Sequence, residues 1–314
     1  SRAVVLSGDI ILTKWAMNGE IAYGAGKIPI AATVCHEMGH QLCGLPDLYD
    51  TTYKNKGMGG FSIMAYGTAG AVSGESYGSR PVNLDAWSRY YLGWEKPIEV
   101  NSSADLYLTK QQYTGSAETV YLVSGPSSQP YQYYLIEVRD PSDETAWDSG
   151  LQKSIETEEF FPGVLVIHVD ERVGAGSLDE GNDINEYKDG QHQGVIGVWA
   201  DTDPRSTENT DSYGTQKSLW YEGNGEEGIF PYALNSAKKF LCSLFFDSEE
   251  SATPQVYTGI KLFNFSEASA DMTASLDYEE DKGGNGGSSS GGCSAGFAAM
   301  ALIALIPVVL RRKK

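Results

Sequence analysis

Residues 34–50 read VCHEMGHQLCGLPDLYD, and the reading of this stretch decides the fold. Two histidines stand four apart, with a glutamate directly after the first. On a helix, positions four apart share one face, so His36 and His40 can aim two imidazoles at a single ion. Neutral imidazole suits zinc, which also needs a third protein ligand. Glu37 sits one step round the helix from His36, where it reaches a metal-bound water rather than the metal. Its role there is to take the water's proton and pass it to a leaving amine. HExxH alone arises by chance, so its surroundings carry weight: an apolar lead-in, IPIAATV, and Gly39 and Gly44 around the helix end.

A second motif, SIMAYG at 62–67, follows two dozen residues downstream. A lone methionine there reads as core. After an HExxH helix, however, SIMAYG resembles the Met-turn of the metzincin peptidases, which implies that Met64 forms a hydrophobic floor under the metal. The resemblance also matches Tyr66 to a tyrosine that, in astacin-like and serralysin-like members, swings to the metal or stabilises the oxyanion, where charge develops in the transition state. HEMGH, GLPDLYD, SIMAYG and PVNLDAWSRYYLGW together resemble the immune inhibitor A family of secreted bacterial zinc metallopeptidases. QYYLIEVRD, PGVLVIHVDE, NDIN and GVWADTD continue that likeness through residue 203. The resemblance implies an extracellular endopeptidase acting on proteins or peptides, with zinc as cofactor.

Metzincin patterns place a glycine three residues after the second histidine and the third ligand three residues beyond it. Here Cys43 holds the glycine slot, Gly44 follows, and Asp47 stands seven after His40, one residue further than that pattern. A turn shifted by one still brings Asp47 to the ion, and a carboxylate is a sound zinc ligand. Asp47 is therefore the expected third ligand. The other reading makes it the cap of a turn after Pro46, with Asp50 at a structural cation. Asp85, on a later helix as in thermolysin-type enzymes, competes for the ligand position, as does the Cys43 thiolate.

The fold expected is α+β, the C-terminal part of a metzincin-like zinc peptidase domain followed by a mostly antiparallel β region, a linker and one transmembrane helix. Residues 1–100 hold the active helix, the Met-turn and a helical pattern in which Leu84, Trp87, Tyr91 and Trp94 recur. Residues 101–282 carry short β-rich runs such as YYLIEVR and GVLVIHVD, broken by Gly, Pro, Ser and Asp. This region reads as a sandwich or as an extension of the first zone's core. Only 35 residues precede His36, so the chain is expected to be a fragment with reduced activity, short of the sheet and propeptide that come before the active helix. No signal peptide and no initiator Met are visible.

GGNGGSSSGG opens a flexible linker at 283–293, and residues 294–314 form an apolar run ending in RRKK. The positive-inside rule puts RRKK in the cytoplasm and everything earlier outside. This ending resembles the GlyGly-CTERM type of bacterial sorting tail, which implies a transient anchor cut by a membrane protease, with Cys293 as a processing or lipidation point. The expected location is extracytoplasmic, at the cell surface or released after processing.

The formal charge is −19, and −23 without the four terminal basic residues, which argues against nucleic acid as a partner. The four cysteines form no CxxC pair. Cys35 and Cys43 cannot bridge on one helix, since eight residues rise about 12 Å. His168 reads as a core histidine and His192 has no partner visible in sequence. The acidic run DEGNDINEYKDG at 179–190 lacks EF-hand spacing; it reads as calcium-binding or as a solvated loop. A non-catalytic surface protein with a β region that binds glycan or protein, carrying a relic peptidase helix, is the alternative function.

Overall fold

The computed structural model describes residues 4–5, 11–12, 31–110, 120–142, 147–155, 160–173, 184–186, 191–201, 213–224, 228–229, 245, 247–248 and 257–278. All fall within one compact unit, Ser1–Asp281. The linker and the apolar tail, with Cys293, lie outside the described residues, as does Cys242. Among the described residues no helix is long and apolar enough to cross a membrane.

In chain order, β1 (Val4–Val5) and β2 (Ile11–Leu12) pair antiparallel, and α1 (Ala31–Met38) runs into a π-helical turn, Gly39–Cys43. Loops with two 3-10 turns, Gly59–Phe61 and Tyr66–Ala69, lead to α2 (Ala86–Tyr91). Then come β3 (Ile98–Val100), β4 (Ala104–Thr109), β5 (Tyr121–Ser124), β6 (Gln132–Arg139), α3 (Leu151–Ser154), β7 (Gly163–Asp170), β8 (Val195–Gly197), β9 (Ile260–Phe263) and β10 (Asp271–Tyr278). The molecule is α+β with mixed sheets and few helices. A five-stranded sheet has the order β3-β5-β6-β7-β8, and a three-stranded sheet the order β4-β10-β9. Every pairing in these two sheets is antiparallel except β3 with β5.

The five-stranded sheet is buried on both faces, so its central strands read as continuous apolar runs rather than as alternation. Successive side chains still divide between the faces. Tyr133, Leu135, Leu165, Ile167 and Val169 join a cluster with Ala32, Leu48, Met58, Phe61, Met64 and Trp87. Tyr134, Ile136, Val138, Val164 and Val166 join a second cluster with Leu106, Leu108, Leu262, Met272 and Leu276 of the smaller sheet. The sheet is thus a central layer, with the loops and short helices of 32–87 on one side and the three-stranded sheet on the other.

The helical pattern at 84–94 is realised as a single short helix. Asp85 caps its N-terminus by accepting from the Ser88 amide at 2.9 Å, a bond that places Leu84 before the first turn. Trp87 and Tyr91 stack on one face, with centroids 5.2 Å apart, while Trp94 lies beyond the end and is exposed.

On the site-facing side, β6 contributes two charges where its neighbours contribute apolar groups. Arg139 is fully buried and forks onto Asp148 at 2.6 and 2.8 Å, and it donates to the Phe61 carbonyl at 2.5 Å. Glu137 accepts from the Ala86 amide at 3.1 Å and from Arg89 at 3.1 Å. Burial raises the Glu137 pKa, and Arg89 and Arg139 oppose that rise. This network ties the chain just before SIMAYG, and the start of α2, to the sheet. Removing one partner from such a network leaves buried charge uncompensated. We therefore expect Arg139→Met to lower unfolding free energy by about 3–5 kcal/mol in urea titrations; a loss below about 1 kcal/mol would show that the network contributes no more than a surface ion pair.

At the end of β7, Asp170 accepts from Arg172 at 2.7 and 2.9 Å and pairs with His192 at 3.0 Å. His168 is a buried core histidine, as expected, bonded to Gln132 at 3.1 Å. Burial, with His192 nearby, pushes its pKa down to about 3, so it is neutral at pH 7. Burial would raise the Asp170 pKa, but the bonds from His192 and Arg172 outweigh it and hold the carboxyl below its ordinary value. A depressed folded pKa stabilises above the unfolded value of about 3.9 and is lost as pH falls below it. Asp170→Asn should accordingly flatten the decline of melting temperature below about pH 4; an unchanged acid limb would contradict this.

Candidate metal centre

The opening stretch folds as a helix that changes winding inside the motif. α1 carries His36, and the π-helical turn carries His40. A π-turn holds one more residue than an α-turn. The residue by which this sequence exceeds the expected spacing is taken up at that point. Gly44 then ends the helix with φ 70°, and the Gly44 and Leu45 amides donate to the His40 and Gly39 carbonyls at 3.1 Å each. A left-handed residue at this position favours glycine. The chain reverses, and the Leu45 carbonyl comes back to His40 Nδ1 at 2.6 Å.

That contact and one other settle the imidazole tautomers. His36 Nδ1 lies 2.8 Å from the Ile63 carbonyl. A carbonyl only accepts, so both Nδ1 atoms carry protons and both neutral rings present Nε2 lone pairs. His36 Nε2 and His40 Nε2 are 3.0 Å apart, and Asp47 Oδ1 lies 3.0 Å from the first and 3.1 Å from the second. Three acceptor atoms therefore converge on one point, an arrangement that needs a proton or a cation among them. A tetrahedral zinc with arms of about 2.0–2.1 Å separates its ligands by about 3.3–3.4 Å, close to the spacing seen. Backbone carbonyls holding the far side of each imidazole are the usual support of metal-binding histidines. The donor set thus fits the metal. It is also the one cluster of three or more such groups among the described residues.

The electrostatics agree with this geometry. Burial would raise the Asp47 pKa, but where a proton rather than a metal sits among the three atoms, donation from the His36 and His40 Nε2 positions holds it at about 2. Burial would lower the His40 pKa, and the Asp47 bond, the Leu45 carbonyl and the charges of Asp47 and Glu37 together raise it. A proton on His40 and a metal ion are in competition for the same lone pair.

Met64 packs against the turn between the two histidines. A Cβ added to Gly39, between the two histidines, would stand 2.5 Å from Met64 Sδ. Glycine at 39 is thus what lets a fully buried methionine pack directly against the helix backbone. The Ser62–Gly67 turn is closed by the Ala65 and Gly67 amides on the Ser62 carbonyl, at 3.0 and 2.9 Å. Ser62 in turn donates to Asp85 at 2.6 Å.

Of the competing ligands, Asp85 is excluded by its bonds: its carboxylate is buried and accepts from Ser62, the Ser88 amide and the Ser88 hydroxyl. Cys43 is a free thiol at the end of the π-turn, outside the ligand cluster, and Cys35 is likewise unbonded. Asp50, read as the residue at a structural cation, is a turn cap, accepting from the Thr52 and Lys54 amides at 3.0 and 2.8 Å.

Glu37 is half-buried on α1 with no hydrogen bond or ion pair among the described residues, and its charge acts on both His40 and Tyr49. Tyr66 is placed differently from a ligand. Its ring packs on Tyr49 at 5.3 Å and edge-on to Tyr213 at 4.7 Å, with Lys56 Nζ 5.2 Å from its centre. The buried hydroxyl makes no hydrogen bond among the described residues. Tyr49 links it to the centre, lying 6.4 Å from the His36 ring. Sequence reasoning missed the Ile63 and Leu45 carbonyls, which no side-chain pattern reports. It also missed Tyr49, although that residue stands within GLPDLYD. Of the acidic run at 179–190, residues 184–186 are described; there Asn185 and Glu186 bond to the protein, and the rest lies outside the described residues.

Residues 15–96 match the model of the immune inhibitor A peptidase M6 catalytic domain. No curated protein matches the chain. The matched range contains His36, Glu37, His40, Asp47, Met64 and Tyr66, and it ends before the segments QYYLIEVRD, PGVLVIHVDE, NDIN and GVWADTD. With a cluster of two histidines and a carboxylate inside the matched range, residues 15–96 are similar to the catalytic domain of the immune inhibitor A peptidases, which supports a metallopeptidase.

Proposed function

We propose that this chain is a zinc-dependent endopeptidase in which His36, His40 and Asp47 hold the ion. The observation that carries the reading is the convergence of three lone-pair atoms within 3.0–3.1 Å, two of them on imidazoles whose opposite nitrogens are fixed by backbone carbonyls. Bound zinc would polarise the scissile carbonyl and acidify water. Glu37 is the general base: it accepts the proton of the attacking water and returns it to the leaving amine nitrogen. Its lack of a partner among the described residues leaves the carboxylate available for that transfer. Met64 keeps the floor of the centre dry and rigid. Tyr66 carries a buried hydroxyl with a donor to offer, and in this proposal it serves the developing oxyanion after its ring moves past Tyr49.

The proposed organisation keeps residues 1–100 as the catalytic part and 101–282 as the β-rich region. A linker at 283–293 and a membrane-spanning tail at 294–314 complete it. The tail, its cleavage by a sorting protease, modification of Cys293 and an extracytoplasmic location rest on the composition of residues 283–314 alone. Substrates are proteins or peptides. The surface-binding alternative is favoured by no observation of the site.

Two variants test this reading. Glu37→Gln should keep one zinc per chain by elemental analysis and lose about 10²–10⁴-fold in casein hydrolysis; retained activity would remove Glu37 from the chemistry. Asp47→Ala should lose zinc on dialysis while its far-ultraviolet circular dichroism is unchanged, and stoichiometric zinc in that variant would move the third ligand elsewhere.

A further inference from the structure

Two of the three ligands ride on a helix, and Asp47 rides on a loop. Its position therefore depends on what grips the loop, and the grip is applied one residue later. The Leu48 amide donates to the Met64 carbonyl at 2.8 Å, which fixes the peptide plane directly after Asp47. The Leu48 carbonyl accepts from the Met58 amide at 2.9 Å and from Asn185 Nδ2 at 3.0 Å.

Asn185 comes from a segment 137 residues further along the chain than Leu48. It is fully buried, and both N–H groups and the oxygen of its side-chain amide are bonded. Oδ1 accepts from the Val195 amide at 3.0 Å, and Nδ2 donates to the Val195 carbonyl at 2.7 Å. The side chain thus pairs with the first residue of β8 as a neighbouring strand would, at the edge of the five-stranded sheet. One N–H is left over, and it goes to Leu48. The flanking residues reinforce the grip: the Ile184 carbonyl accepts from Gly194 at 2.7 Å, and Glu186 accepts from the Thr51 amide at 3.1 Å.

We propose that Asn185 is a positioning residue for the third metal ligand, carrying the rigidity of the central sheet through Leu48 to Asp47. This rests on the reading of His36, His40 and Asp47 as the metal site. Asn185 touches neither metal nor substrate, and its effect is on where the Asp47 carboxylate stands when the ion arrives. A support of this kind is worth about 10- to 100-fold in metal affinity.

The test compares the full chain with Asn185→Asp, Asn185→Ala and, as a control, Gln216→Ala, which removes a buried amide bonded to the Phe161 carbonyl at 2.8 Å. Asn185→Asp retains size and the acceptor for the Val195 amide but places a carboxylate oxygen against the Leu48 carbonyl. For each, zinc dissociation constants by chelator competition, the visible spectrum of the cobalt-loaded protein and the melting temperature of metal-free protein are measured. We expect both Asn185 variants to bind zinc about 10- to 100-fold more weakly with a changed cobalt spectrum, and Gln216→Ala to keep the wild-type constant and spectrum at whatever melting temperature it has. Folded Asn185 variants with the wild-type zinc constant and spectrum overturn the proposal. So does a control that loses zinc affinity to the same degree, or failure of both Asn185 variants to fold, since each reduces Asn185 to a general support. Absence of stoichiometric zinc in the wild type overturns the metal reading itself.

Discussion

The structure depends on one electrostatic constraint: two neutral imidazole nitrogens and a carboxylate oxygen held against one another with no proton of their own to share. Left to local forces, three acceptors at 3.0–3.1 Å would drift apart or recruit a proton. They stay because each is fixed from behind. Ile63 holds His36, Leu45 holds His40, and the bonds on Leu48 hold the peptide after Asp47. The supports of His36 and His40 are main-chain carbonyls, and that of Leu48 combines main-chain bonds with the Asn185 side chain, so the fold shapes the site.

The backbone around the site is mostly loop, and loops need an external frame to be rigid. The five-stranded sheet supplies it at two points. Arg139 reaches from β6 to the Phe61 carbonyl, just ahead of the Ser62–Gly67 turn, and Asn185 links the first residue of β8 to Leu48. Met64 joins the two, since it packs on Gly39 and its carbonyl receives the Leu48 amide. Buried charge in this position is costly unless every partner is present, and the Arg139 and Glu137 side chains meet that condition by bonding to main-chain groups of the site layer. The smaller sheet contacts the opposite face of the central one and serves the site only through it.

How much of this was legible follows from the kind of pattern each feature leaves. His36, His40 and Asp47 were readable because they are separated by short distances in one segment, and Met64 because SIMAYG is a compact motif. The displaced spacing of Asp47 was visible as an extra residue, but its resolution was not: a π-turn has no composition of its own, and only the Gly44 that follows hinted at where winding changes. Among the described residues, β4 to β10 fall within the stretch 101–282 read as β-rich. Its layering was hidden because β6 and β7 are buried on both faces, which erases the two-residue alternation. The helix at 84–94 was overextended because Leu84 and Trp94 share its spacing while Asp85, as an N-cap, outranks periodicity. Asn185 and Arg139 were unreadable as supports, since their partners are carbonyls far along the chain. Asp85, weighed as a competitor to Asp47, is a carboxylate with ligand chemistry whose lone pairs are already engaged by two serine hydroxyls and an amide, which no spacing reports.

The central claim is that the ion sits between His36, His40 and Asp47 in the arrangement these side chains already hold. The most direct measurement is anomalous diffraction at the zinc absorption edge from crystals of the zinc-loaded protein. The account predicts a single anomalous peak at about 2.0–2.2 Å from His36 Nε2, His40 Nε2 and Asp47 Oδ1, with both Nδ1 atoms still on the Ile63 and Leu45 carbonyls. A peak bound elsewhere, or one that leaves the Asp47 carboxylate outside bonding distance, would contradict it.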